Sequence, residues 1–266
     1  MTRNSSLALA FHAIFITFML APILIVCVVA LTPLGYLSIP TTSFSLRWFR
    51  AILDYPEFVH AFGQSLWLAS TSSLIAITLS VPAALAIARY RFPGREVITA
   101  LFMAPLMVPP VVLGIAFLRF FTQVSLSGTY VGLVASHVII VTPFALRLVL
   151  AASYGIDLRL EHAAVSLGAN AATVFRRVTL PLILPGVVSG FMLAFITSFD
   201  EVTMTIFVAS PATETLPVRL FLYIQDNIDP MVASISTCLI LVTVVVMIVL
   251  DRVYSLDRLF LGTGKA

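Results

Sequence analysis

Six stretches of this chain are apolar and long enough to cross a lipid bilayer as helices. They cover residues 8–31, 62–88, 97–118, 129–151, 184–208 and 231–250. A spanning helix needs about 20 mostly apolar residues, and a helix satisfies its own backbone polar groups in lipid. The composition agrees, because only 10% of the residues are charged, against about 25% in soluble domains. We therefore predict an all-α integral membrane protein with six transmembrane helices in a single domain, residues 1–266.

The positive charges predict how the spans are oriented. The first apolar run is longer than the about 7–15 residues of a signal-peptide core, so we expect it to be retained as a span. With the N-terminus in the cytoplasm, both termini are cytoplasmic and 11 of the 15 basic residues lie on that side. Loops rich in Lys and Arg stay inside, and the opposite orientation would reverse this bias. These inner residues are Arg3, Arg89, Arg91, Arg95, Arg147, Arg159, Arg176, Arg177, Arg252, Arg258 and Lys265. The net charge of +3 reflects this topology and gives no reason to expect a nucleic-acid partner.

The cytoplasmic loop 152–183 has the pattern of two short helices separated by a glycine. Asp157 stands where an N-cap residue belongs, and residues 158–167 follow without a helix breaker. Gly168 can supply a left-handed helix stop, and Asn170 can cap a second helix. Leu160, Ala163, Ala164 and Leu167 recur at helical spacing.

This loop is a candidate docking site for another protein. Small alanines on one helix face allow close approach, and Glu161, Arg176 and Arg177 offer charges at the rim. From these residues alone, a cytoplasmic linker that is merely helical is an equally good interpretation.

The same loop resembles the EAA signature of permease subunits of binding-protein-dependent ABC importers. That signature is E-A-A, three residues, Gly, nine residues, then I-x-L-P. Ala163, Ala164, Gly168 and Leu180-Pro181 stand at matching positions, with Val178 in place of Ile. His162 replaces the glutamate of the signature, while Glu161 lies one residue earlier. The resemblance assigns ATPase coupling to this set, which comprises Glu161, His162, Ala163, Ala164, Gly168, Arg176, Leu180 and Pro181.

The resemblance implies a type I ABC importer permease fold in a bacterial inner membrane. It also implies three partners: a second permease subunit, a dimer of cytoplasmic ATP-binding subunits that holds ATP and Mg, and a periplasmic solute-binding protein. This chain is expected to bind no cofactor or metal and to have no catalytic residues. Its glycine–lysine step, Gly264-Lys265, lacks the remainder of a phosphate-binding loop.

The fifth span contains a pair of glycines and, near its end, a pair of carboxylates. Gly186 and Gly190 form a G-x-x-x-G step, which lets helices approach closely in lipid. Further on, Phe199, Asp200 and Glu201 place two carboxylates at the outer part of the apolar run. A charge at that depth is costly unless it faces water or a partner. The three residues are therefore candidates for the substrate path, and a solvated span end or a pairing with a neighbouring subunit is the alternative.

The segments Ser198–Glu201, Ala209–Pro211 and Thr215–Val218, with Asp251-Arg252, resemble the polyamine branch of these permeases. The substrate implied is spermidine or putrescine, and seven acidic against four basic residues on the outer side suit a cation. Importers of opines, phosphonates, thiamine or iron share similar segments and remain alternatives. A stand-alone secondary transporter would need no docking loop, and an intramembrane enzyme would need a catalytic motif that is absent here.

Two further expectations concern the middle of the chain. Met107, Pro109 and Pro110 mark a kink in the third span. His137 in the fourth span is expected to be a buried histidine with satisfied hydrogen bonds rather than a ligand.

Overall fold

In the computed structural model, residues 6–40 and 43–254 are described, and their regular elements are all helices. The all-α fold class is therefore confirmed. The helices are α1 (Ser6–Val29), α2 (Arg47–Ala51), α3 (Pro56–Arg89), α4 (Arg95–Met103), α5 (Pro110–Gln123), α6 (Tyr130–Tyr154), α7 (Leu158–Ser166), α8 (Ala171–Val174), α9 (Leu180–Phe199), α10 (Thr205–Val208), α11 (Leu216–Asp226) and α12 (Met231–Tyr254). Arg3, Arg258 and the segment 264–266 lie outside the described residues.

Four helical segments in the described ranges are long and apolar enough to cross a membrane, namely Ala8–Val29, Pro56–Arg89, Tyr130–Tyr154 and Ala171–Phe199. The expected third span, 97–118, is not one continuous helix. It consists of Arg95–Met107 and Pro110–Gln123, which meet at 102°. The position of the kink was predicted correctly, but the large angle between the two helices was not.

The prolines explain this break. Pro109 has no N–H to continue a helical ladder, and its ring forces the preceding residue out of helical geometry. Val108 accordingly adopts an extended conformation, with φ −96° and ψ 129°. The two helices together form either one bent span or a re-entrant segment.

The last two expected spans also differ in extent from the expectation. The fifth, expected over 184–208, ends at Phe199, and Thr205–Val208 forms a separate short helix. The sixth forms α12, which begins at Met231 as expected and continues to Tyr254, beyond the expected end at 250; the apolar part of it whose side chains are described is Met231–Val245. The described residues thus support four spans, or five with the bent pair, and leave six as a prediction.

The described residues form two compact units, the first within 6–60 and 220–253 and the second within 61–219. In the described part of the first unit, the Ser234 hydroxyl donates to the Ala30 carbonyl at 3.2 Å, which joins α12 to the end of α1. The Trp48 indole N–H donates to the Leu34 carbonyl at 3.0 Å. The rings of Phe58 and Tyr223 meet edge to face, with centroids 5.3 Å apart.

The core of the second unit is the contact between α6 and α9. Leu146 on α6 and Ile183 on α9 are fully buried in it. Gly186 and Gly190 allow this close packing. A Cβ atom at Gly186 would lie 2.4 Å from the Ala152 Cβ atom and 2.8 Å from the Leu148 carbonyl oxygen. Only glycine fits such an approach, which is the property that a G-x-x-x-G step gives to a helix in lipid.

Candidate functional site

The helices of the 152–183 loop begin at the residues that the sequence predicted. The Asp157 carboxylate accepts a hydrogen bond from the Arg159 backbone N–H at 2.9 Å and caps α7. The Asn170 side chain accepts from the Thr173 N–H at 2.9 Å and caps α8. These caps satisfy N–H groups that have no partner within their own helix.

The turn between α7 and α8 depends on Gly168, whose φ is +87°. The Gly168 N–H donates to the Val165 carbonyl at 2.9 Å, and the Ala169 N–H donates to the Ala164 carbonyl at 3.0 Å. This pair of bonds is the Schellman motif, in which a left-handed residue closes the helix end. The motif fixes the direction in which the chain leaves α7.

The outer side of α7 presents apolar side chains that the described residues of the second unit leave uncovered. Leu167 is 89% exposed, Val165 57% and Leu160 50%. Ala163 is exposed as well, whereas Ala164 is half-buried. A short helix that joins two membrane spans and turns its apolar residues outward is the kind of surface that a partner protein covers.

Glu161 and His162 point in different directions. The Glu161 carboxylate pairs with the Arg89 guanidinium at the end of α3 and accepts a hydrogen bond from the Thr179 hydroxyl at 2.5 Å. Only 12% of the Glu161 side chain is exposed, while His162 is exposed. The structure therefore does not support Glu161 as a rim contact, because the carboxylate ties α7 to α3. Of the two residues, His162 is the one that a partner could touch.

A π-helical turn, Phe175–Thr179, joins α8 to α9. In it the Leu180 N–H donates to the Phe175 carbonyl, five residues back. Pro181 explains the wider turn, since its ring would clash with the carbonyl four residues earlier and it has no N–H to donate. Arg176 and Arg177 lie in this turn and are exposed. The π turn was not predicted from the sequence, although Pro181 was a signal that indicates such a turn.

The acidic turn, Phe199–Met204, follows the other end of α9. Asp200 is exposed, and its carboxylate has no hydrogen-bond partner among the described residues. The Glu201 carboxylate instead accepts from the Met204 N–H at 2.7 Å. Phe199 is half-buried and its ring contacts those of Phe195 and Phe62, each with centroids 6.2 Å apart. One carboxylate of the predicted pair therefore holds the turn together, and the other is free to meet a ligand.

The structure keeps the two groups of predicted residues apart. The 20 residues of α9 correspond to about 30 Å of helix, roughly the thickness of a bilayer core. The residues predicted to dock a partner lie around the start of α9, and the acidic turn follows its end. Among the described residues, no group of three His, Cys, Asp or Glu side chains could hold a metal ion.

This chain matches a family of transport proteins and is similar to individual transport permeases. The profile of the family described as "Binding-protein-dependent transport system inner membrane component" matches residues 76–256. The spermidine/putrescine transport system permease protein PotC of Escherichia coli K12 is 28% identical over 221 residues, which are 83% of each chain. A probable molybdenum ABC transporter permease protein of Haloferax volcanii is 35% identical over 192 residues, 69% of this chain and 70% of the other.

A solved structure shares the fold. A chain of a bacterial ABC transporter that imports the acidic polysaccharide alginate superposes with a TM-score of 0.73, covering 93% of this chain and 95% of its own length. The two sequences are 16% identical, so this likeness concerns the fold alone.

Proposed function

This chain belongs to the family of binding-protein-dependent transport system inner membrane components and is a permease subunit of an ABC importer, and we propose that it forms half of a translocation path for a polyamine. ATP hydrolysis takes place on a separate subunit in this proposal. The chain then supplies the path and the docking surface and catalyses no reaction itself.

The exposed apolar surface of α7 is the observation that carries the coupling role. Side chains such as Leu167 and Val165 would be covered by a cleft on a cytoplasmic ATPase subunit. The exposed Arg176 and His162 would contact the rim of that cleft. The nucleotide and its Mg would bind to the ATPase dimer, and a second permease subunit and a periplasmic binding protein would complete the assembly. The orientation with both termini in the cytoplasm belongs to this proposal.

The connections of α7 suggest how a movement would spread. Glu161 joins α7 to Arg89 at the end of α3 and to Thr179 at the start of α9. A push on α7 would therefore reach two spans at once. Because α9 is packed tightly against α6 through Gly186 and Gly190, we expect α6 and α9 to move as one body. The acidic turn at the far end of α9 would move with them.

The acidic turn supports a cationic substrate. Asp200 is an exposed carboxylate next to the ring of Phe199, and an ammonium group interacts favourably with both a carboxylate and an aromatic face. The similarity to the polyamine permease points the same way. The Haloferax relative has the higher identity, so an oxyanion is the second candidate. An unpaired carboxylate on the path argues against it, because like charges repel.

The test is uptake of radiolabelled spermidine by vesicles that contain the assembled importer. We expect Asp200→Asn to raise KM for spermidine several-fold. Asp226→Asn removes the same charge from an exposed carboxylate at the end of α11 and should leave KM unchanged. Molybdate uptake is measured in parallel. Equal KM values in both variants, or uptake of molybdate but not of spermidine, would overturn the polyamine assignment.

A further inference from the structure

His137 lies in the interior of the second unit and contacts the two residues that flank the acidic turn. Its side chain is fully buried on α6. Its Nδ1 atom lies 2.8 Å from the Ser198 hydroxyl oxygen, and its Nε2 atom lies 3.0 Å from the Thr205 hydroxyl oxygen. Ser198 is in the last turn of α9, and Thr205 begins α10. One imidazole therefore bridges the residue before the turn and the residue after it.

This bridge uses the full hydrogen-bonding capacity of the ring. A neutral imidazole has one N–H donor and one nitrogen acceptor, so one hydroxyl donates to the ring and the other accepts from it. Ser198 and Thr205 are themselves buried, and replacing the imidazole by an apolar ring would leave both hydroxyls without this partner. Buried polar groups that lose a partner are costly, which favours rearrangement of the turn.

The remaining contacts hold the turn on its other sides. Glu201 accepts from the Met204 N–H within the turn. Gly114 on α5 lies so close to Met204 that a Cβ atom there would be 3.1 Å from both the Met204 Cα atom and its carbonyl oxygen. The turn is thus held by α6 through hydrogen bonds and by α5 through packing, while Asp200 remains exposed between these supports.

We propose that His137 is a positioning residue that sets the location of the Asp200 carboxylate without contacting the substrate. The transport part of this inference rests on the proposed function. As predicted from the sequence, His137 is buried and both of its ring nitrogens have hydrogen-bond partners; its effect on the turn was not predicted. A substrate ammonium would meet Asp200 in a defined place only while both hydroxyl contacts of the imidazole persist.

A transport-independent measurement tests the positioning itself. A spin label is placed at Asp200→Cys in a chain whose Cys27 and Cys238 are replaced by alanine, and its mobility is recorded by electron paramagnetic resonance. We expect His137→Phe to mobilise the label, with Ser198→Ala and Thr205→Val each giving a smaller effect. If His137→Phe does not fold, Ser198→Ala and Thr205→Val provide the test. An unchanged spectrum in the folded variants would overturn the proposal.

Kinetics then test the link to the substrate. His137→Phe should raise KM for spermidine about tenfold, with kcat changed less than twofold. His137→Asn keeps a polar group near Ser198, and His137→Gln keeps one near Thr205, so each should restore part of the affinity. In an Asp200→Asn background, His137→Phe should have no further effect on KM. A further rise there, or a fall in kcat alone, would contradict positioning through Asp200. If Asp200→Asn alone leaves KM unchanged, the polyamine assignment fails, and the spin-label result still decides the positioning role.

Discussion

Replacing Gly168 by alanine isolates the contribution of the turn between α7 and α8. The residue has a φ of +87°, and a Cβ atom there would meet nothing within 4 Å. Gly168→Ala therefore destabilises the folded chain only through backbone strain, and an alanine in the left-handed region loses about 1–2 kcal/mol of folding free energy. The chain can avoid this cost only by rotating Gly168 to a negative φ. That rotation would break the two hydrogen bonds of the Schellman motif and turn α7 to a new direction.

Gly94 provides a matched control. It stands before α4 with a φ of +84°, and a Cβ atom there would also meet nothing within 4 Å. Gly94→Ala and Gly168→Ala should thus lower the free energy of unfolding in detergent by the same amount, about 1–2 kcal/mol. Only Gly168→Ala should reduce the number of substrate molecules transported per ATP hydrolysed, because only Gly168 orients α7.

Two further variants sharpen this comparison. Gly168→Asn should keep most of the coupling, since asparagine tolerates the left-handed region. Gly168→Pro should abolish coupling, because proline fixes φ near −65° and removes the N–H that donates to Val165. The assay is uptake and ATPase activity in proteoliposomes with the partner subunits. Wild-type coupling in Gly168→Ala, or an equal loss in Gly94→Ala, would refute the role assigned to the turn.

The remaining predictions concern packing and the Arg89 pair. In an unfolding titration, Gly186→Ala should destabilise the chain by about 1–3 kcal/mol, because its Cβ atom would overlap α6. Gly63→Ala in α3, where a Cβ atom would meet nothing within 4 Å, should instead stabilise the chain by up to about 1 kcal/mol. Equal effects would contradict the close approach of α6 and α9. Glu161→Gln should cost about 1–2 kcal/mol, since Arg89 is 21% exposed and would lose a charged acceptor. Glu214→Gln, at the looser 3.6 Å pair with Arg219, should cost less than about 1 kcal/mol, and the reverse order would count against the α7–α3 link.

The sequence was sufficient for features that depend on neighbouring residues. Asp157 and Asn170 cap helices because a short polar side chain reaches the N–H groups two or three residues ahead. Gly168 ends α7 because glycine alone adopts a left-handed conformation without strain. The apolar runs of α1, α3 and α6 follow from the thickness of the bilayer. None of these features requires knowledge of distant contacts.

The features that the sequence analysis missed depend on residues far apart in the chain. Glu161 was expected at the docking rim, but it pairs with Arg89, which lies 72 positions away in the chain. No local sequence pattern indicates that pairing. The fifth span ends at Phe199 rather than at 208 because the following residues turn and pack against α5 and α6. The apolar composition of 205–208 suits that buried place as well as it suits lipid, so hydropathy could not distinguish them.

In the proposed function, transport through this chain is driven by ATP on a separate subunit that docks at the 152–183 loop. The most direct measurement is spermidine uptake into proteoliposomes that contain the two permease subunits and the binding protein, with and without the ATPase subunit. We expect uptake only when the ATPase and ATP are both present, and loss of that uptake in Gly168→Pro. Uptake by the permease chains without the ATPase subunit and without ATP would contradict it.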